Sequence, residues 1–364
     1  MKFAIVRSKF LEALKSVQNI VPAKVSTPVM QNVKIVAGEG KLVMTTTSID
    51  MSVVCEVECA IEEPGETTLP VAILSSMVAC SEECEISVAV DEEQHATIRA
   101  GRAKYRLAGM DPRAFPSLPE SADAREYSIP QALLKEMFRK TAYSVCVDDT
   151  RRALVGVFNK LENGIFQMVA TDGRRLSLVE KDLGYPAEDS FKFILPVAAV
   201  HELQRVLSSD GDAVVKVQGT QIRYSLGNVT IYSKLIAEEY PNFQQVIPKT
   251  IETEISIDRV QLISAIERVS VMSKGLFSTA LKFGDNLLVV SSSANEIGEA
   301  KDEVPVKYGG EEVKFLFDPS YLLDALKVID DDEVRFCYNS PHSAIELKCS
   351  VPFIAVIMPL RETA

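Results

Sequence analysis

One pattern occurs three times along this chain of 364 residues, and no other feature restricts its fold as much. An amphipathic helical stretch, "SKFLEALKSVQNIV" from Ser8, returns as "IPQALLKEMFRKTAYSV" from Ile129 and as "DRVQLISAIERVSVM" from Asp258, which makes Leu11, Leu134 and Ile263 equivalent. A second helical stretch follows at the same interval, as "LPVAILSSMVACSEEC", "LPVAAVHELQRVLSSD" and "FDPSYLLDALKVIDDD". Each opens on a proline, Pro70, Pro196 or Pro319, whose missing N–H does no harm in a first helical turn. Asp318 adds a side-chain cap in the third copy. Alternating runs such as "EISVAVDEEQHATIRAGRAKYRLAG" come next and read as half-buried strands. Pro116 and Pro241 close the first two copies alike. The period, about 125 residues, far exceeds the ~20 to 45 of a solenoid unit. The expectation is an α+β chain of three tandem domains, 1–120, 121–248 and 249–364. Several domains of this size, set around a rotation axis, make a closed ring more natural than an open rod.

Bulk properties exclude several classes. With 47% hydrophobic and 25% charged residues the chain is globular rather than disordered, and no apolar run approaches the ~20 residues of a membrane span. "MKFAIVRSKFLEALKS" enters a strand-like run and then a charged helix with no apolar leader, so a cytoplasmic location and no membrane partner are expected. The formal charge of −12 argues against coating nucleic acid through a net positive field, although a basic stripe on an acidic body is compatible with it. Seven cysteines, an odd number without secretory context, do not suggest a disulfide framework. Cys55 and Cys59 share one face of an alternating strand, and Cys80 and Cys84 lack a histidine at ligand spacing, so these pairs read as structural and no metal is expected.

Catalytic chemistry finds little support. Asp148 with Asp149, and Asp330 to Asp332, could hold metals, but they flank helices in polar linkers, where solvated acidic turns are commoner. "HELQR" at His201 lacks the second histidine of a zinc protease motif, no glycine-rich phosphate loop is present, and no cofactor is implied. A non-catalytic protein is expected.

Two basic features remain. The first helices carry Arg7, Lys9 and Lys15, then Lys135, Arg139 and Lys140, then Arg259 and Arg268. These are either solvated helix faces or the lining of a channel that contacts phosphates without reading bases. "MVATDGRRLSLVEK", residues 168 to 181, places two arginines at a tight turn built on Asp172 and Gly173. Taken alone, that turn is a hairpin with exposed arginines.

The start "MKFAIVRSKFLEAL", the threefold repeat, "VATDGRRLSL", "SKLIAEEYPNFQQVIP", "DPSYLLDAL" and the terminal "VIMPLR" together resemble the bacterial DNA polymerase III β subunits, the sliding clamps, along the whole length. The resemblance implies a non-catalytic accessory subunit that closes as a head-to-tail homodimer, a six-domain ring around double-stranded DNA held without regard to sequence. It also implies a pocket for short linear motifs of the polymerase III α subunit, the clamp loader and repair polymerases. Carried over by position, the pocket takes Leu154, Thr171, Gly173, Arg174, Arg175 and Leu176, then Pro241, Val246 and Ile247, then Val356, Met358, Pro359, Leu360 and Arg361. Its apolar residues would seat a leucine or phenylalanine, and its arginines acidic flanks. DNA would be met by Lys24, Lys135, Arg139, Arg151 and Arg152. At the dimer contact, Tyr105 and Leu107 would meet Val271 and Met272 of the partner's third domain, while Arg102 and Lys104 face Glu296, Glu299, Asp302 and Glu303. The chain departs from the family pattern at residues 71 to 84, which lack Lys and Arg, at Gln245, and in the Glu-Thr-Ala that follows Arg361. A repeat scaffold that binds only proteins is the alternative.

Overall fold

The computed structural model describes residues 1–22, 27–118, 125–273, 278–294 and 298–361. They form two compact units, Met1–Lys135 with His201–Leu235, and Glu136–Val200 with Ile236–Ala364. Each unit therefore takes one terminal repeat and part of the central one.

The first unit has two antiparallel sheets. One runs in the order Ala60–Glu63, Lys2–Val6, Glu85–Val90, His95–Ala100, Ala103–Ala108. The other has eight strands, Glu126–Pro130, Asp212–Gln218, Gln221–Leu226, Val229–Lys234, Met51–Glu58, Lys41–Thr47, Asn32–Gly38 and Gly65–Pro70. Strands of two repeats join at its middle, where Val229–Lys234 pairs with Met51–Glu58. The second unit repeats this plan. Its eight strands run Phe191–Pro196, Gly156–Glu162, Ile165–Thr171, Arg175–Asp182, Phe353–Ile357, Ile345–Lys348, Glu333–Tyr338 and Thr253–Asp258, and Arg175–Asp182 pairs with Phe353–Ile357 at the junction. A four-stranded sheet, Gly298–Pro305, Leu287–Ala294, Thr279–Gly284 and Val313–Phe317, completes it.

Six α-helices are described: α1 (Arg7–Val17), α2 (Val71–Cys80), α3 (Gln131–Thr141), α4 (Val197–Val206), α5 (Arg259–Ser270) and α6 (Pro319–Lys327). Helical periodicity explains their buried stripes: Phe10, Ala13, Leu14 and Val17 on α1 recur as Leu262, Ala265, Ile266 and Val269 on α5. Asp258 and Asp318 cap α5 and α6 by accepting from the backbone N–H of Gln261 and Ser320. Pro319 lies in a first helical turn, whereas Pro70 and Pro196 end outer strands of their eight-stranded sheets, where one side of the ladder needs no N–H. Helix α2 stops at Cys80 instead of continuing to residue 84, because Ser81 turns to an extended conformation with its hydroxyl on the Met77 carbonyl.

One device recurs in all three repeats. The last carbonyls of a helix lack intrahelical donors and attract cations. Arg7 supplies them after α2, donating Nε to Val78 O at 3.0 Å and Nη2 to Ala79 O at 2.7 Å. Lys135 donates to Leu207 O at 2.8 Å just past α4, and Arg259 donates to Asp331 O at 2.6 Å beyond α6. Lys140, expected on a polar face, is only 1% exposed and pairs with Glu136 at 2.6 Å. Arg7, Lys135 and Arg259 thus tie the two helices of each repeat together.

The third repeat is centred on aromatic rings: Phe336 lies 5.1 Å from Phe283 and 5.3 Å from Phe315, measured between centroids, and Phe315 lies 5.0 Å from Tyr338. Phe336→Ala is expected to cost about 3–5 kcal/mol, visible as a lowered calorimetric transition of the second unit. The seven thiols are all free, with Cys80 exposed and Cys55 and Cys337 buried. Burial pushes the Cys55 thiol up to about 11 and the Cys337 thiol up to about 12, which leaves both protonated near pH 8. Iodoacetamide at pH 8 should therefore label Cys80 and spare both others in the native protein, as read by peptide mass spectrometry.

Candidate peptide-binding groove and charged surfaces

The turn at 171–175 is held from within. Thr171 Oγ1 donates to Arg175 O at 2.6 Å and accepts from Gly173 N–H at 3.0 Å, while Asp172 Oδ1 accepts from the N–H groups of Arg174 and Arg175 at 2.8 and 3.0 Å. Gly173 has φ +88°, a backbone conformation that calls for glycine, and a Cβ there would also press on the mobile end of Arg151. Sheet register then sets the turn beside the C-terminal segment: Leu176 pairs with Val356 and Arg175 with Ile357. Met358 N–H donates to Arg174 O at 2.9 Å, and Leu360 N–H to Leu316 O at 2.7 Å.

Residues from distant parts of the chain thus meet. Leu176 and Val356 are each 2% exposed and form, with Val169 and Leu178, a cluster against which Ile247 packs. They are the floor and belong to the core. The accessible surface is Met358 (43% exposed) with half-buried Pro359 and Leu360, and with Arg174 and Arg361 exposed. Val246 is 50% exposed. Leu154, half-buried, accepts from Cys146 N–H at 2.9 Å in the segment that carries Arg151. Pro241 lines a different cavity of about 500 Å³ with Phe158, Lys192 and Tyr240.

The two adjacent arginines have opposite fates. Arg174 is exposed. Arg175 donates Nε to Asp172 at 3.0 Å, Nη1 to Asp324 at 2.7 Å and Nη2 to Tyr143 O at 2.7 Å, and its guanidinium lies 4.6 Å from the Tyr321 ring centre. Burial opposes its charge, yet the bond to Asp324 and the field of Asp172 outweigh that and raise its pKa above the ordinary arginine value. Its donors are committed to the wall, whereas those of Arg174 and Arg361 face solvent, both residues being exposed. Asp324, Tyr143 and Tyr321 were not among the expected residues. Arg175→Met leaves two carboxylates without their cation and should cost on the order of 3 kcal/mol, whereas Arg174→Ala should change stability by less than about 0.5 kcal/mol; urea unfolding distinguishes them.

The other expected basic residues are largely engaged. Arg139 pairs with Asp330 at 2.6 Å. Arg151 Nη1 donates to Asp172 O at 3.0 Å, so it braces the turn. Lys135 caps α4 as described, Arg152 is exposed, and Lys24 lies outside the described residues. Asp331 accepts from Ser350 N–H at 2.6 Å and from its hydroxyl at 3.0 Å, bonds that hold its carboxyl below the usual range. The Asp330–Asp332 run is thus tied into the fold, and among the described residues no group of three or more His, Cys, Asp or Glu side chains is arranged to hold a metal. No described helix is long and apolar enough to cross a membrane.

At the expected dimer contact, Ala103–Ala108 presents Lys104 exposed and Tyr105 and Leu107 half-buried, and Arg102 just before it is exposed. In the other unit Val271 is 64% exposed and Met272 half-buried. Glu299 is exposed, Glu303 pairs with Lys301 at 2.7 Å, and Asp302 is taken by Arg268 at 2.5 Å. Glu296 lies outside the described residues.

The fold is that of solved bacterial sliding clamps. The chain superposes with a TM-score of 0.95 on the Pseudomonas aeruginosa DNA polymerase III subunit beta crystallised with griselimycin, at 29% identity over 99% of both chains. It matches the Bacillus subtilis DNA polymerase sliding clamp with a TM-score of 0.95, at 27% identity over the full length of each. Family models for the N-terminal, central and C-terminal domains of the DNA polymerase III beta subunit match residues 1–119, 128–242 and 244–361. The beta sliding clamp of Chlamydia muridarum is 30% identical over 362 residues, 99% of either chain, and that of Escherichia coli 28% identical over 368, covering 99% of this chain and 100% of the relative. The chain belongs to the DNA polymerase III beta subunit family. It is accordingly a DNA sliding clamp and not itself an enzyme.

Proposed function

We propose that two copies close head to tail into a six-domain ring around duplex DNA, and that partner tails dock in the groove beside Arg174 and Met358. One observation carries the ring. Strands of neighbouring repeats pair at Val229–Lys234 with Met51–Glu58 and again at Phe353–Ile357 with Arg175–Asp182. The first repeat's equivalent of the former strand is Ala103–Ala108, and the third repeat's equivalent of the latter is Gly298–Pro305; each ends its sheet without a neighbour among the described residues. Two complementary free edges, one at either end of the chain, suit a heterologous contact that closes on itself. Tyr105 and Leu107 would then supply apolar area against Val271 and Met272 of the partner subunit. Arg102 and Lys104 would face Glu299 and Glu303, exposed pairs worth little each.

Three domains, 1–120, 121–248 and 249–364, would then repeat twice around the ring. DNA contact rests on Lys24, Lys135, Arg139, Arg151 and Arg152, several of which share their charge with groups of their own chain. Such contacts suit a protein that slides, because affinity for DNA comes from phosphates neutralised, and enclosure replaces grip. The groove fits extended tails of the polymerase α subunit, the clamp loader and repair polymerases, with Met358 adapting to different apolar anchors. The site of action would be the cytoplasm.

Solution mass should be twice that of the chain at micromolar concentration, and loaded protein should stay on circular DNA and leave once it is linearised. A strict monomer, or retention indifferent to circularity, would return the protein-only scaffold. Met358→Ala should weaken a fluorescent tail peptide about tenfold, or 1.4 kcal/mol, without changing the dimer. Leu176→Ala is a poorer probe, since it opens a cavity in the floor.

A further inference from the structure

The cavity of about 500 Å³ that Pro241 lines lies wholly within the second unit, against strands Gly156–Glu162 and Phe191–Pro196 and the segment 240–244. Strand alternation puts Phe158, Lys160 and Glu162 on one face, and sheet register adds Lys192, directly opposite Lys160, to that face. The segment after the central repeat lays aromatic rings on it. Tyr240 stacks on Phe158 with centroids 4.8 Å and planes 12° apart, and Phe243 closes the corner at 6.1 Å from Phe158 and 6.5 Å from Tyr240. All three are half-buried, so ring surface stays open to the cavity they line.

Charge at the rim is uneven. Glu162 holds Lys160 at 2.7 Å, whereas the exposed Lys192 ammonium has no partner among the described residues. Like charges directly opposite on neighbouring strands repel, and one carboxylate between two ammonium groups leaves the rim positive. A phosphate monoester carries nearly two negative charges and three acceptor oxygens, so it can bridge Lys192 and Lys160 while Glu162 stays in place. Asn242 and Gln244 supply polar groups beside the rings: Asn242 Oδ1 accepts from Gln244 N–H at 3.2 Å, which leaves the Asn242 amide N–H groups and the exposed Gln244 side chain for the edge of a planar ligand. The volume falls within the ~300 to 1,000 Å³ of small-molecule pockets.

We infer that this cavity is a binding site for a nucleoside monophosphate, with the base on the rings of Tyr240 and Phe243 and the phosphate on Lys192 and Lys160. Stacking on an aromatic side chain accepts any base, since each has a π-face, so the site selects the class of ligand and not one base. The site is independent of the peptide groove and of ring closure. Its test is a calorimetric titration of the full-length protein with deoxyadenosine monophosphate, set against deoxyadenosine, deoxyribose 5-phosphate and phenylacetate. The monophosphate should bind at least tenfold more tightly than each of the three. Lys192→Glu should remove that advantage over deoxyadenosine, and Lys192→Arg should keep it. Lys192 is exposed, so both variants should melt like the parent. No heat from the monophosphate at millimolar concentration overturns the inference, as does binding that Lys192→Glu leaves unchanged, which places the ligand elsewhere on the chain. Deoxyribose 5-phosphate binding as tightly as the nucleotide shows that the rings take no base, and phenylacetate doing so shows a site for any aromatic acid; either result overturns it too.

Discussion

Main-chain pairing between strands of neighbouring repeats is the interaction on which the rest depends. A sheet edge exposes N–H and C=O groups that must find partners, and here each edge in question is covered by the next repeat along the chain. The eight-stranded sheets follow directly, because each is two four-stranded halves joined at their edges. The same pairing brings the 171–175 turn beside Met358, since the strand that covers Arg175–Asp182 must leave the sheet next to that turn. The turn beside Met358 and the two uncovered edges therefore share a cause: pairing makes a seam within each unit and leaves Ala103–Ala108 and Gly298–Pro305 without a neighbouring strand among the described residues.

Charge is spent mostly on holding the repeats together. Arg7, Lys135 and Arg259 donate to carbonyls at or just beyond helix ends, Arg139 and Arg268 take carboxylates, and Arg175 ties two acidic residues and two tyrosines to one turn. Those cations are committed within the chain, and exposed ones such as Arg152 remain for a polyanion. A clamp has no need of more. Strong phosphate contacts would slow movement along DNA, whereas enclosure retains the ring regardless of affinity.

The two seams also show how a repeat protein diversifies. The backbone bonds from Lys234 N–H to Asp50 O and from Met358 N–H to Arg174 O are equivalent, so the frame is kept by sheet register, which a single-residue slip would destroy. Side chains beside these bonds bear no such constraint. Met51 and Arg175, or Lys234 and Met358, can differ wholly in character while each sheet remains intact.

Sequence alone determined the threefold organisation and the α+β class, because hydrophobic periodicity and its spacing are local properties: the stripe Phe10, Ala13, Leu14, Val17 and its counterpart on α5 are visible in a linear string. Resemblance to a known family supplied which segments belong to the groove. Only the tertiary structure decided what each side chain does there. Nothing in "DGRR" separates exposed Arg174 from buried Arg175, since their difference comes from Asp324, Tyr143 and Tyr321, brought close by sheet register. Leu176 and Val356 likewise became floor instead of contact surface because Ile247 and the cluster around them exclude solvent. Lys140 and Arg151 looked like surface charges too: Glu136 lies one helical turn from Lys140, but what buries that lysine is tertiary packing, and the Asp172 carbonyl that claims Arg151 comes near only when the chain has folded.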